Sequence, residues 1–93
     1  MNEKLDVAVL LTTFNRPEVT KKALNLIINS NPKKIYIHRD GPRKNNPEDI
    51  KKCKEVENII LNAKANCPIE VSLKKENHGL NKSMNKAISW FFE

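Results

Sequence analysis

Polar residues with the chemistry of a nucleotide site stand at three places where apolar runs of the sequence end. They are Thr13, Asn15 and Arg16 at the first place, Asp40 and Arg43 at the second, and Asn77 and Gly79 at the third. An arginine can bind phosphate or stack on a base, and a carboxylate can accept hydrogen bonds from ribose hydroxyls or a base N–H. These residue types indicate a nucleotide, provided that the fold brings the three places together.

Each of these places follows a strand-like run and precedes a helix-like run. Residues 6–13, 34–38 and 69–73 are predicted strands. The first contains a continuous apolar run at residues 7–11 with two β-branched valines, as in a strand buried on both faces. Pro17 and Pro47 suit the first turn of a helix, where the N–H that proline lacks is not needed. A last helix is predicted after Gly79. The order of elements is therefore β-α-β-α-β-α.

This order predicts one α/β domain over residues 1–93, a three-layer half of a doubly wound, mainly parallel sheet. Helical crossovers imply parallel strands, and right-handed connections place helices on both faces of the sheet. The carboxyl ends of parallel strands meet at one edge, and ligands of such sheets bind there. The three polar places should then line a single crevice.

Apolar residues at helical spacing predict which face of each helix is buried. The predicted stripes are Val19, Ala23, Leu26 and Ile27 in the first helix; Ile50, Cys53, Val56, Ile60 and Ala63 in the second; and Leu80, Met84, Ala87, Ile88 and Phe91 in the last. At the end of the sequence, Trp90, Phe91 and Phe92 predict an exposed apolar patch, and hence self-association.

Several nucleotide-binding classes are excluded because their motifs are missing. The first strand is followed by Thr-Thr-Phe-Asn-Arg-Pro instead of the G-x-G-x-x-G of a dinucleotide site, and no P-loop is present. No acids cluster there, as a phosphoacceptor receiver domain would require. No stretch approaches the roughly 18–20 apolar residues of a membrane span, so the cytoplasm is the expected location.

The formal net charge of +6 raises a second class of function, a small basic module that binds nucleic acid or an acidic partner. Lysines scattered along an asparagine-rich chain explain this charge equally well as a bias in composition. The chain has few aromatic residues to interleave with the basic ones, which does not favour nucleic acid. A purely structural α/β domain is the third alternative.

The order of four segments resembles the donor-binding half of GT-A glycosyltransferases, of which the family 2 enzymes are the nearest broad relatives. These segments are "TTFNRPE", "DGPR", "ENHGL" and "AISWFFE". The first and last are also similar to the N-acetylglucosaminyltransferase I group. The resemblance implies the GT-A, or nucleotide-diphospho-sugar transferase-like, form of the α/β fold.

The resemblance also implies roles for individual residues. Thr13, Asn15 and Arg16 would line the nucleoside and diphosphate, with Arg16 as the charge contact. Asp40 would bind the uracil or ribose. The matches for the helix that follows the third strand are Asn77, Gly79 and, more loosely, Lys82 or Asn85. The ligand implied is a nucleoside diphosphate sugar, UDP-linked by preference.

In the family, another strand and an Asp-x-Asp motif follow the segment that ends "WFFE". Those acids hold Mn²⁺ or Mg²⁺, which neutralises the departing diphosphate. This sequence ends at Glu93, before that point, so the resemblance implies an N-terminal portion of a larger hexosyl- or N-acetylhexosaminyltransferase. The expectation is a chain that binds no metal, holds no catalytic residue and is inactive alone, whereas the parent enzyme uses a metal and a glycan acceptor.

Overall fold

The computed structural model describes residues 6–93, apart from the side chains of Leu80 and Asn81. Six elements alternate along the chain: β1 (Ala8–Thr13), α1 (Pro17–Asn29), β2 (Lys34–Arg39), α2 (Pro47–Leu61), β3 (Ile69–Leu73) and α3 (Leu80–Phe91). The predicted α/β class is confirmed, and the three predicted strands agree with the structure to within two residues at each end.

The three strands form one parallel sheet in the order β1-β2-β3. In the pairing of β1 with β2, Ala8 lies opposite Lys34 and Thr13 lies opposite Arg39. β2 and β3 are in register from the pair Ile35 and Ile69 onwards. All three strands therefore end at the same level, and the loops that follow them meet at one edge.

The alternating side chains of β2 divide the molecule into three layers. Ile35 and Ile37 are fully buried on one face, in a core cluster with residues of α1 and α2: Leu24, Val56 and Ile60. Tyr36 points to the other face, where its ring meets those of Trp90 and Phe91 in α3 at centroid distances of 5.1 Å. Two helices thus cover one face of the sheet and the third helix covers the other. This arrangement is compatible with half of a doubly wound sheet.

The predicted buried stripe of α1 is wrong at Val19 and Leu26, although Ile27 packs against the core as predicted. Thr20 and Leu24 are the buried side chains, whereas Val19 is 57% and Leu26 is 71% exposed. Apolar residues occur around more than half of this helix, so periodicity alone admits two faces. The choice between them is made by α2, against which α1 packs, and not by the sequence of α1.

The predicted stripe of α3 is wrong at Met84 and Ile88, although Ala87 is buried and Phe91 packs against Tyr36. Ser83 and Ala87 are buried, whereas Met84 is 37% exposed and Ile88 is 42% exposed. The side chain of Leu80, also predicted in this stripe, lies outside the described part of the chain. Small side chains let α3 approach the sheet closely, so the position of the helix follows the small residues and leaves larger apolar ones outside.

The helices contain 13, 15 and 12 residues. A membrane-spanning helix needs roughly 20 predominantly apolar residues. Within residues 6–93, none of the helices combines the length and the apolar content of a membrane span.

Replacing Ile37 by Val should destabilise the protein by about 0.5–1.5 kcal/mol, since one methylene is lost from a fully buried site. Ile50→Val is the matched control, because Ile50 is 56% exposed and surface substitutions usually stay within about 0.5 kcal/mol. Urea unfolding followed by circular dichroism measures both. Equal effects of the two substitutions would contradict the assignment of the core to the α1/α2 face of β2.

Candidate functional site

A cavity of about 300 Å³ lies at the carboxyl ends of the strands and is lined from all three of the polar places. Its lining residues are Thr12, Thr13, Phe14, Asp40, Arg43, Asn77, Gly79, Ser83 and Met84. Five of the eight predicted site residues are among them. The parallel register explains the convergence, because strands that end at one level bring their following loops together.

Asp40 joins the end of β2 to the loop between β3 and α3. Its Oδ1 accepts hydrogen bonds of 2.9 Å from the backbone N–H groups of Gly41 and His78, and its Oδ2 accepts one of 3.2 Å from Asn77 Nδ2. The residue is 5% exposed, and its own N–H donates to the Thr13 carbonyl. The carboxylate is therefore mainly a structural anchor, with acceptor capacity left on Oδ2.

The two glycines of the chain serve this loop in different ways. A Cβ on Gly41 would lie 2.5–2.6 Å from backbone atoms of Glu76, so only glycine lets the two loops approach this closely. Gly79 has φ 82° and ψ 158°, a region that only glycine adopts without strain, although a Cβ there would meet no atom within 4 Å. Asn77 closes the turn by accepting the Gly79 N–H through its Oδ1 at 3.1 Å.

Arg43 is held beside the cavity by Asp49 of α2. Its Nε and Nη2 donate to the two carboxylate oxygens of Asp49 at 2.6 and 2.9 Å, and the Asp49 side chain is only 2% exposed. Asn15 Nδ2 donates to the same carboxylate at 2.9 Å. The hydrogen bonds from Arg43 hold the pKa of Asp49 well below its usual range. Arg43 is 58% exposed, and its Nη1 has no partner within residues 6–93.

Phe14 forms an aromatic wall of the cavity. The guanidinium carbon of Arg43 lies 5.7 Å from the centroid of the Phe14 ring, a cation–π distance. The ring is half-buried and lines the cavity. A planar base could stack on such a surface with the cation close by.

The remaining predicted site residues do not line this cavity. Asn15 is turned towards Asp49, and Arg16 is exposed in a groove between the start of α1 and Lys52 and Glu55 of α2. Lys82 is exposed on α3. Asn15 and Arg16 point elsewhere because β1 ends in an abrupt turn: Arg16 is already the N-cap of α1, and its carbonyl accepts the N–H of Thr20.

A buried histidine stands behind the cavity. His38 is 2% exposed; its Nε2 lies 2.7 Å from Ser83 Oγ in α3, and its Nδ1 lies 3.3 Å from Ser72 Oγ in β3. Burial, aided by the charge of Lys74, lowers the pKa of His38. A serine–histidine pair that acts as a nucleophile normally has a carboxylate on the second ring nitrogen. His38 has a hydroxyl there, so the chain of hydrogen bonds fits a role in fixing α3 on the sheet.

The described residues do not fit a divalent metal. In residues 6–93, no group of three or more histidine, cysteine, aspartate or glutamate side chains is placed to hold one. The two acids nearest the cavity are Asp40 and Asp49, and both carboxylates are already occupied by hydrogen-bond donors.

Sequence reasoning missed four residues of the lining, Thr12, Phe14, Ser83 and Met84, and the supporting acid Asp49. Phe14 stands between two predicted site residues, so the motif itself could have identified it. Asp49 reads in the sequence only as an acid in the first turn of α2, where it is expected at the positive end of the helix dipole. Its hydrogen bond with Asn15 joins residues 34 positions apart, and no sequence pattern predicts a contact over that separation.

No protein-family model matches the chain, and no curated protein or solved structure is significantly similar to it. The geometry of the cavity and the resemblance of the sequence motifs therefore carry the functional interpretation.

Replacing Gly41 by Ala should displace residues 76–78, because the added Cβ cannot fit against the Glu76 backbone. We expect a destabilisation of about 1–3 kcal/mol, together with large changes in the amide chemical shifts of Glu76, Asn77 and His78. Gly79→Ala is the comparison: it should cost a similar energy through backbone strain while leaving the Glu76 amide shift nearly unchanged. Unchanged shifts at Glu76 in Gly41→Ala would contradict the close approach.

The free energy of unfolding should fall as the pH drops below about 6.5, the ordinary pKa of histidine. The unfolded chain then binds a proton that folded His38 resists, so the stabilisation is complete above that pH and is lost towards the lower folded pKa. One such proton gives a slope of at most about 1.4 kcal/mol per pH unit. Urea unfolding between pH 5.5 and 7.5 measures it. His38→Gln should abolish this slope and His78→Gln should retain it; equal slopes in wild type and His38→Gln would refute the assignment.

Proposed function

We propose that the cavity at the carboxyl edge binds the nucleoside of a nucleoside diphosphate sugar, with UDP as the expected nucleotide. The chain would be the donor-binding portion of a GT-A type glycosyltransferase. One observation carries the proposal: the ends of all three parallel strands contribute to a single cavity, at the edge where open α/β sheets bind ligands.

The chemistry of the cavity suits the nucleoside end of such a donor. A volume of about 300 Å³ is at the lower end of the range for small-molecule sites, enough for a base and ribose while the diphosphate and sugar extend outwards. Phe14 offers a surface for the base. Asp40 Oδ2 can accept a hydrogen bond from a ribose hydroxyl or base N–H, and Arg43 Nη1 can reach a phosphate oxygen at the mouth.

The resemblance to GT-A glycosyltransferases supports the same ligand. The motifs "TTFNRPE", "DGPR" and "ENHGL" hold seven of the nine lining residues. Arg16, which the resemblance makes the charge contact, lies outside the cavity, so Arg43 takes that role in the proposal. Lys82 has no assigned contact.

The proposal gives this chain donor binding and no transfer step. A catalytic base would need a carboxylate or imidazole that is free to take a proton. Asp40, Asp49 and His38 are buried and hydrogen-bonded. Transfer to a glycan acceptor, and the Mn²⁺ or Mg²⁺ that neutralises the diphosphate, belong to the parent hexosyl- or N-acetylhexosaminyltransferase in this proposal.

A titration of the ¹⁵N-labelled chain with UDP tests the proposal. We expect shifts concentrated at Thr13, Asp40, Asn77 and Gly79. Phe14→Ala should weaken binding by about 5- to 100-fold, since stacking of a base on an aromatic ring contributes roughly 1–3 kcal/mol. Phe92→Ala is the matched control, because Phe92 is 77% exposed at the end of α3 and does not line the cavity. Equal affinities of the two variants, or shifts spread over the surface, would refute the nucleoside site.

The net charge of +6 keeps a basic binding module as the second candidate. Its signature would be binding of a mixed-sequence single-stranded oligonucleotide that weakens steeply with salt, because phosphate contacts release counterions. Such binding, unaffected by Phe14→Ala, would replace the nucleoside proposal.

A further inference from the structure

A second cavity, of about 420 Å³, lies beside β3 on the face of the sheet that α3 covers. Its lining residues are His38, Val71, Ser72, Leu73, Lys74, Lys86 and Trp90. None of them is acidic. This cavity shares no lining residue with the cavity at the carboxyl edge. His38 lies between the two cavities, because its ring contacts Ser83, which lines the first cavity, and Ser72, which lines the second.

The two lysines of this cavity, like most lysines in residues 6–93, form no ion pair with a carboxylate. Within residues 6–93, four lysines form ion pairs with carboxylates: Lys33, Lys34, Lys52 and Lys54. Neither Lys74 nor Lys86 does so. Instead, Lys86 Nζ lies 3.5 Å from the Nδ1 of another basic residue, His78.

The local sequence concentrates this positive charge. Residues 74–86 contain four lysines and a single acid, Glu76, and α3 contains no acid at all. Lys82 and Lys86 are four residues apart on α3, a spacing at which like charges repel and destabilise a helix. An anion bound beside them would offset this repulsion.

We propose that the second cavity binds a phosphate-type anion, with Lys74 and Lys86 as the charged groups and the Ser72 hydroxyl as a hydrogen-bond donor. The proposal is independent of the nucleoside site, since it concerns other residues on another part of the surface. Inorganic phosphate and a small phosphomonoester share the required chemistry.

The choice of ligand class follows from the hydrogen-bonding groups. Lysine ammonium groups are strong donors without acceptors, and they bind phosphate as point charges. The Ser72 hydroxyl can donate to the anion while it accepts a hydrogen bond from His38 Nδ1. A neutral ligand would leave the charges of both lysines of the lining uncompensated, whereas a dianion can neutralise both.

Binding of the anion should also change the pKa of His38. The charged groups that act on its ring are Lys74 after β3, Arg39 in β2, Asp40 after β2 and His78 before α3. Lys74, Arg39 and His78 disfavour the protonated ring, and Asp40 favours it. An anion at Lys74 would offset the strongest of these repulsions. The pKa of His38 should therefore rise when the site is filled, which gives a readout that a nonspecific surface effect would not produce.

The test is an NMR titration of the full 93-residue chain with sodium phosphate at low ionic strength, with sodium chloride of equal ionic strength as the reference. We expect shifts at Ser72, Lys74 and the Trp90 indole, and an upward shift of the His38 pKa. The double variant Lys74→Gln/Lys86→Gln should bind phosphate about tenfold more weakly or worse. The matched control Lys21→Gln/Lys22→Gln removes the same charge from α1, on the opposite face, and should change affinity less than about twofold.

Equal weakening by the two double variants would overturn the proposal, because it would reduce binding to net charge. Identical shifts with chloride, or phosphate shifts without a change in the His38 pKa, would also overturn it. A comparison of phosphate with phenyl phosphate separates the sources: tighter binding of the ester points to a phosphomonoester ligand, and equal binding points to the free anion. Phe14→Ala should leave phosphate binding unchanged, so the nucleoside site can fail while this site stands.

Discussion

The Asp40 carboxylate is the constraint on which the carboxyl edge of the sheet depends. It fixes the end of β2 to the β3–α3 loop through two backbone N–H groups and the Asn77 amide, and the close approach of Gly41 to Glu76 follows from that attachment. A buried acceptor with charged oxygens makes stronger hydrogen bonds than a neutral one. Removing the Asp40 carboxylate would leave those donors without an acceptor, and the β3–α3 loop would lose the hydrogen bonds that hold its conformation.

Asp49 organises the other side of the same edge. Its carboxylate accepts hydrogen bonds from Arg43 in the loop after β2 and from Asn15 in the loop after β1. Each of the two buried acids, Asp40 and Asp49, therefore accepts hydrogen bonds from two loops. The cavity is consequently preformed, because its walls are held by bonds within the protein and not by a ligand. The same bonds leave one oxygen of Asp40, one nitrogen of Arg43 and the face of Phe14 among the groups available to a ligand.

Local rules of sequence predicted the elements and their order, since prolines at helix starts and glycines after strands act over a few residues. They also predicted that the loops after the three strands meet at one edge, because parallel pairing follows from helical crossovers. They failed where long-range packing decides. The buried face of α1 depends on α2, and the direction of Asn15 depends on an acid 34 positions away. Arg39, an arginine in the central strand, is buried for a similar reason: its guanidinium donates to the carbonyls of Cys53 and Lys74 and to Glu57.

The distribution of charge separates the two cavities more clearly than the net value of +6 suggests. At the carboxyl edge the acids are buried and each is matched by donors, so the proposed recognition there rests on shape and hydrogen bonds. Beside β3 the lysines of residues 74–86 have no such match, and charge itself is the recognition element. A ligand with both a base and a phosphate would suit the first cavity, whereas a compact dianion suits only the second. Since His38 separates them with a hydroxyl on each ring nitrogen, the sheet brings both within reach of one buried imidazole.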